Sequence, residues 1–129
     1  MIILFFFILG LAVGSFLNVV VLRLQNGETI LGSSFCHSCN TPIPFYDNIP
    51  ILSYVLLRGR CRYCHQKLSV LYPVGELVSG IVFACMGIAL FPPEDQHAWI
   101  RMVWLLVMVS IFIAIAIYDM MYMEIPVVL

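Results

Sequence analysis

Three long apolar runs divide the chain. Residues 2–22 contain no charged side chain, residues 70–91 contain one (Glu76), and residues 99–118 contain one (Arg101). Each run has about the twenty residues that an α-helix needs to cross a hydrocarbon core of ~30 Å. Because a backbone in lipid must satisfy its own hydrogen bonds, the runs predict three transmembrane helices and an all-α polytopic membrane protein.

The polar positions gather in one segment, residues 23–69, between the first and second runs. The chain is 63% hydrophobic and 10% charged, with a mean hydropathy of +1.05, whereas soluble domains are about 45–50% apolar. The segment holds five of the six basic residues, and an excess of Lys and Arg marks cytoplasmic loops. We therefore expect a cytoplasmic segment and a periplasmic N-terminus. No nucleic-acid partner is expected.

These features predict five portions of the chain. The chain stops in an apolar stretch, so we expect a truncated piece of a longer protein. The portions are a first transmembrane helix, a cytoplasmic cysteine-rich domain, a second transmembrane helix, a periplasmic loop, and a third transmembrane helix with the start of a further membrane region, at residues 1–22, 23–69, 70–91, 92–98 and 99–129.

Two Cys-x-x-Cys pairs stand in the polar segment, twenty-one residues apart, at Cys36, Cys39, Cys61 and Cys64. Prolines between the pairs disfavour a long helix there and favour short strands and turns. The spacing is close to that of a zinc ribbon, in which four thiolates hold one structural Zn²⁺. A reducing cytoplasm disfavours disulfides, and a redox dithiol needs only one pair. We expect the arginines around the second pair to offset the site's negative charge, and His37 and His65 to be bystanders.

Polar side chains inside the apolar runs are the other candidates for function. Asn18 is expected to hydrogen-bond a neighbouring helix or to lie near the interface. Glu76 either caps its helix at the interface or belongs to a site. Asp119 follows seventeen residues without a charge; it is either a functional intramembrane acid or one that has reached the interface. Gly10-x-x-x-Gly14 permits close helix packing, although small residues in an apolar helix explain it equally well.

Several stretches together resemble the bacterial prepilin peptidase family, over essentially the whole chain. The cysteine pairs combined with Asp-Asn-Ile-Pro and Arg-Gly-Arg-Cys are the most specific of them. Gln25, Gly75 and Val127 depart from the family pattern, in which a branched apolar residue is more common at the position of Gly75. The matching stretches are Gly14 to Val20, Arg23-Leu24, Asp47 to Pro50, Ser53-Tyr54, Leu57 to Cys61, Tyr72-Pro73 with Glu76, and Asp119 with Ile125-Pro126.

The resemblance implies an inner-membrane aspartic peptidase of type 4 pilus or type II secretion assembly. Such enzymes cut the basic leader from prepilins and pseudopilins at the cytoplasmic face and methylate the new N-terminus with S-adenosylmethionine. It implies that Asp119 is the first catalytic aspartate. The second belongs to a Gly-x-Gly-Asp motif that these 129 residues lack, so this piece alone is expected to be inactive.

Four further residues are candidate contacts to substrate or cofactor. The leader is basic, so we expect acidic side chains near it. Gly59 is a candidate for close approach to an anionic ligand, although a turn that requires glycine explains it equally well. The alternative function is a non-enzymatic membrane scaffold whose zinc-ribbon loop recruits a cytoplasmic partner. The four candidates are Asp47, Glu76, Gly59 and Glu124.

Overall fold

The structure, a computed structural model, describes residues 1–27, 29, 32, 34–36, 38–93 and 95–124, the last three in backbone only. Within these residues the chain forms α1 (Ile2–Gln25), a 3-10 helix (Phe45–Asn48), α2 (Leu52–Leu56), α3 (Leu71–Leu90) and α4 (Gln96–Glu124). Helices α1, α3 and α4 are long and apolar enough to cross a membrane. The predicted set of three transmembrane helices is thus confirmed. Ile125 and Pro126, which belong to one of the stretches that resemble the family, lie outside the described residues.

Helices α1 and α3 pack closely through small residues. A Cβ atom added at Gly10 would lie 2.5 Å from the carbonyl oxygen of Ser79, and one at Gly14 would lie 2.9 Å from the Cα atom of Glu76. Any larger side chain at these two positions would therefore force the helix backbones apart. The structure favours the packing-seam interpretation of the Gly-x-x-x-Gly pair.

Helix α4 returns along the bundle and brings its last turns to the end at which α3 begins. Ile117 is buried, and a Cβ atom added at Gly75 would lie 3.3 Å from its Cδ1 atom. Most other large apolar side chains of α4, such as Trp104 and Phe112, are exposed. Exposure of this kind suits a helix whose surface faces lipid.

The polar segment contains turns and short helices in place of the expected strands. Among its described residues, strand-like pairing is limited to two isolated bridges, Phe35 with Pro42 and Arg60 with Lys67. Each bridge closes a tight turn around one cysteine pair, so the ladder stops after one step. Pro44 then directly precedes the 3-10 helix and has no N–H group with which to extend the first bridge.

Candidate metal centre and membrane-face site

The two Cys-x-x-Cys pairs lie in turns of the same construction. In the first, the Cys36 amide donates to the Thr41 carbonyl oxygen at 3.0 Å, and the Asn40 amide donates to the Cys36 carbonyl oxygen at 2.7 Å. In the second, Cys61 and Gln66 form the equivalent bond at 2.9 Å, and the His65 amide donates to Cys61 at 3.1 Å.

Both turns need a left-handed residue directly after the second cysteine. Asn40 has φ 53° and His65 has φ 56°. Asn and His are among the non-glycine residues that tolerate this region best. His65 therefore has a backbone role in the turn, while the four sulfur atoms come together without its side chain; His37 lies outside the described residues.

The four cysteine sulfur atoms converge on one point. All four Sγ atoms lie within 4.8 Å of one another, and those of Cys36 and Cys64 are 3.8 Å apart. In a tetrahedral zinc site with Zn–S bonds of ~2.3 Å, the sulfur atoms are separated by ~3.8 Å. The predicted set of ligands is thus brought together in an arrangement that could hold one metal ion.

The thiols of the cluster differ widely in acidity. Hydrogen bonds from the side chain and backbone of Thr41 lower the pKa of Cys39 to about 6, and the backbone amides of Cys64 and Tyr63 lower the pKa of Cys61. At Cys64 a backbone hydrogen bond from Gln66 acts in the same direction, but desolvation and the neighbouring thiols outweigh it and raise the pKa to about 11. Thiolates this close repel one another, so full ionisation requires a bound cation.

Arg62, between the two cysteines of the second pair, forms an ion pair with Asp47. Its guanidinium group donates from Nε to Asp47 Oδ2 at 2.6 Å and from Nη2 to Asp47 Oδ1 at 2.5 Å, and it lies 5.6 Å from the ring centre of Tyr46. The same guanidinium lowers the pKa of Asp47. Arg62 was expected, with Arg58 and Arg60, to offset thiolate charge; Asp47 takes the Nε–Nη2 edge of its guanidinium group and balances its charge there, and the offset of thiolate charge stays a prediction. Backbone amides at the sulfur atoms supply part of that compensation.

Glu76 fastens the polar segment to the second membrane helix. Its side chain is buried, with 8% of the residue exposed, and Oε2 accepts a hydrogen bond of 2.7 Å from the Ile51 amide. Ile51 has φ 60°, which is costly for a β-branched residue and must be held by its surroundings. The carboxylate therefore binds the segment and does not cap α3, whose N-cap is Val70.

Asn18 makes a second link across the same junction. Its Nδ2 atom donates to the Tyr72 carbonyl oxygen at 3.0 Å, which confirms the expected bond to a neighbouring helix. Its Oδ1 atom is buried and has no partner among the described residues. Asn18 and Glu76 both line a cavity of about 320 Å³ between the polar segment and helices α1 and α3. A buried acceptor without a partner at the wall of a cavity is a feature of a ligand site.

Asp119 lies at the end of the bundle that carries the cysteine cluster. It is exposed and follows by two residues Ile117, which packs against Gly75 at the start of α3. Two residues correspond to about 3 Å along a helix, so the carboxylate stands near the level of Gly75 and Glu76. The acid and the cysteine cluster thus occupy one end of the molecule.

The structure says less about the three remaining candidate contacts to substrate or cofactor. Asp47 lines the cavity, but its carboxylate is engaged by Arg62. Gly59 has φ 66°, and a Cβ atom there would lie 2.8 Å from the Tyr54 hydroxyl; the turn therefore requires glycine. Glu124 is the last residue of α4, and its side chain lies outside the described residues. Contacts of these three residues to a substrate or cofactor stay predictions.

Residues 8–90 match the family model described as "Bacterial Peptidase A24 N-terminal domain". Proteins named prepilin leader peptidase/N-methyltransferase are similar to the chain. That of Myxococcus xanthus is 39% identical over 125 residues, which cover 95% of this chain and 35% of the relative. That of Klebsiella pneumoniae is 43% identical over 95 residues, covering 68% and 42%, and that of Neisseria gonorrhoeae is 37% identical over 105 residues, covering 62% and 37%.

The chain therefore spans between about a third and two-fifths of the length of these curated relatives. No solved structure matches it significantly.

Proposed function

The chain belongs to the bacterial peptidase A24 N-terminal domain family, as the N-terminal portion of a type 4 prepilin peptidase, and from this premise we propose that it supplies one half of an aspartic active site. In our proposal Asp119 is one of two carboxylates that cut the basic leader of prepilins and pseudopilins at the cytoplasmic face of the inner membrane. The observation that carries the proposal is the packing of Ile117 on Gly75, which sets Asp119 at the end of the bundle occupied by the cysteine cluster.

The chemistry assigned to Asp119 needs a second acid. In an aspartic dyad one carboxylate accepts a proton from water, while the other stays protonated and polarises the scissile carbonyl group. A single carboxylate cannot fill both roles at once. We therefore propose that the partner acid lies in a portion that corresponds to the part of the longer relatives not covered by this chain. We also propose that the 129-residue chain alone does not cleave prepilins.

Two ligands complete the proposal. Zn²⁺ would be held by Cys36, Cys39, Cys61 and Cys64, where it would stabilise the turns and leave no open position for substrate. S-adenosylmethionine, which supplies the methyl group for the new N-terminus, would be held in the cavity by the free Oδ1 atom of Asn18 and the carboxylate of Glu76. The sulfonium and ammonium groups of this donor are cationic, and a buried carboxylate suits them.

The test is cleavage of a prepilin by the product of the complete reading frame. Replacing Asp119 by Asn removes a carboxylate with almost no change in shape, and we expect cleavage to be lost while the protein still inserts into the membrane. The matched control is Asp95→Asn, because Asp95 is an exposed acid beside the opposite end of α4. Cleavage retained by Asp119→Asn would remove Asp119 from the mechanism. Binding of a cytoplasmic partner by a catalytically inert complete protein would favour the scaffold function instead.

A further inference from the structure

The short helix α2 has its apolar side chains on its exposed side, which is unusual for a helix in water. Its inner side contains Ser53, which is buried, and Tyr54, which lines the cavity. Its outer side consists of Leu52, Val55 and Leu56, with 51%, 63% and 72% of each residue exposed. A surface helix in water has the opposite distribution, with polar residues outside.

This surface extends into the 3-10 helix and is rigidly built. Phe45 is 86% exposed and Ile49 is 44% exposed. The Ser53 hydroxyl joins the two short helices, because it donates to the Tyr46 carbonyl oxygen at 3.0 Å and accepts from the Ile49 amide at 3.0 Å. The exposed apolar side chains therefore belong to one braced unit.

The bond between Glu76 and Ile51 fixes the depth of this unit. Helix α3 has 20 residues and is about 30 Å long, which equals the thickness of a hydrocarbon core. Glu76 lies about 7.5 Å beyond the first residue, Leu71, and side chains on a helix lean toward its N-terminus. Its carboxylate, and with it the Ile51 amide 2.7 Å away, consequently lies near the level at which the hydrocarbon begins.

The neighbouring surfaces are those of an interfacial segment. Toward the bilayer, α3 exposes Val74, Leu77 and Val78, apolar side chains that suit a helix surface in lipid. Directly after α2, the basic residues Arg58 and Arg60 are exposed. Apolar side chains at the acyl boundary with basic side chains beside them at the phosphates are the arrangement of helices that lie in the membrane plane.

We propose that the unit of residues 45–56 is a membrane-contact surface, and that Leu52, Val55 and Leu56 insert among phospholipid acyl chains at the bilayer interface. The occupant of the apolar surface is then lipid and not another protein. This contact holds the cysteine cluster close to the membrane surface. The inference depends on the membrane placement of α3 and does not depend on peptidase activity.

The experiment is photo-crosslinking in bacterial membranes, with the product of the complete reading frame. A photoreactive phenylalanine analogue is placed at Leu56 and, in a second variant that guards against misfolding, at Val55. Phe112, an exposed side chain of α4, is the lipid-facing reference, and Gln66, an exposed residue of the second cysteine turn, is the water-facing reference. Adducts are identified by mass and by their loss on phospholipase treatment.

We expect phospholipid adducts at Leu56 and Val55 in a yield at least about tenfold above that at Gln66, since an interfacial side chain is buried among acyl chains. Crosslinks to protein, within the molecule or to another one, as the main product at both positions would overturn the proposal, because protein would then cover the surface. Absence of adducts at both positions while Phe112 is labelled would also overturn it, because the surface would then face water.

Discussion

The bond between Glu76 and the Ile51 amide leads to a quantitative prediction. Replacing Glu76 by Ala leaves the part-buried Ile51 N–H group without its acceptor, at a residue whose φ of 60° is already unfavourable. Loss of a hydrogen bond to a charged group costs about 1.5–3 kcal/mol, and each 1.4 kcal/mol is about a tenfold change in an equilibrium. We expect the detached form of the polar segment to become roughly 10- to 150-fold more populated.

Amide hydrogen exchange measures this population directly. The amides of residues 53–57, whose hydrogen bonds include Val55 to Ile51 and Leu57 to Ser53, should exchange faster by that factor in the full chain held in lipid nanodiscs. The control is Glu76→Gln, which keeps an acceptor oxygen of the same reach. A neutral bond of about 1 kcal/mol then replaces a charged one, so the loss is about 0.5–2 kcal/mol and the effect about 2- to 30-fold, smaller than that of Glu76→Ala. Unchanged exchange in Glu76→Ala would show that the hydrogen bond between Glu76 and the Ile51 amide does not hold the polar segment on α3.

Three further predictions address the seam, the cluster and the ion pair. Gly14→Ala should destabilise the α1–α3 packing by about 1–3 kcal/mol through overpacking, measured by SDS titration, whereas Ala12→Val on the exposed side of α1 should have little effect. Metal analysis should find one Zn²⁺ per chain, lost in Cys36→Ser and retained in Cys85→Ser; equal zinc in both variants would contradict the four-cysteine site. Asp47→Asn should be less stable than the parent above pH 3.8, the ordinary pKa of this carboxyl group. Because Arg62 lowers that pKa in the folded chain, the stability difference should shrink as the pH falls below this value; a constant difference down to pH 2 would argue against the pair.

The apolar runs were enough to predict the large elements. A lipid environment leaves the backbone few alternatives to a helix, so the pattern between residues 2 and 118 predicts α1, α3 and α4 directly. The cysteine cluster was predictable for a similar reason, since repeated Cys-x-x-Cys spacing restricts the possible geometry to a few closed turns.

The partners of single charged residues were not predictable in this way. Asp47 pairs with Arg62, fifteen residues away in sequence, and Glu76 accepts a hydrogen bond from the Ile51 amide, twenty-five residues away. Both pairings depend on how the polar segment folds back over α3. No local pattern marks Ile51 for a positive φ, because β-branched residues normally avoid it. The signal that was present and overlooked is the run Leu52-Ser53-Tyr54-Val55-Leu56, whose aliphatic residues fall at helical spacing.

The absence of a side chain at position 75 governs where α4 can sit. A Cβ atom there would stand 3.2 Å from Asn18 Oδ1 and 3.3 Å from Ile117 Cδ1, so a side chain at this place would require these two neighbouring side chains, or the backbone that carries them, to move by a few tenths of an ångström. If the backbone of α4 moves at Ile117, Asp119 moves with it, because it follows Ile117 by two residues in the same helix. Position 75 thus acts as a spacer between the start of α3, beside the polar segment, and the turn of α4 that precedes Asp119.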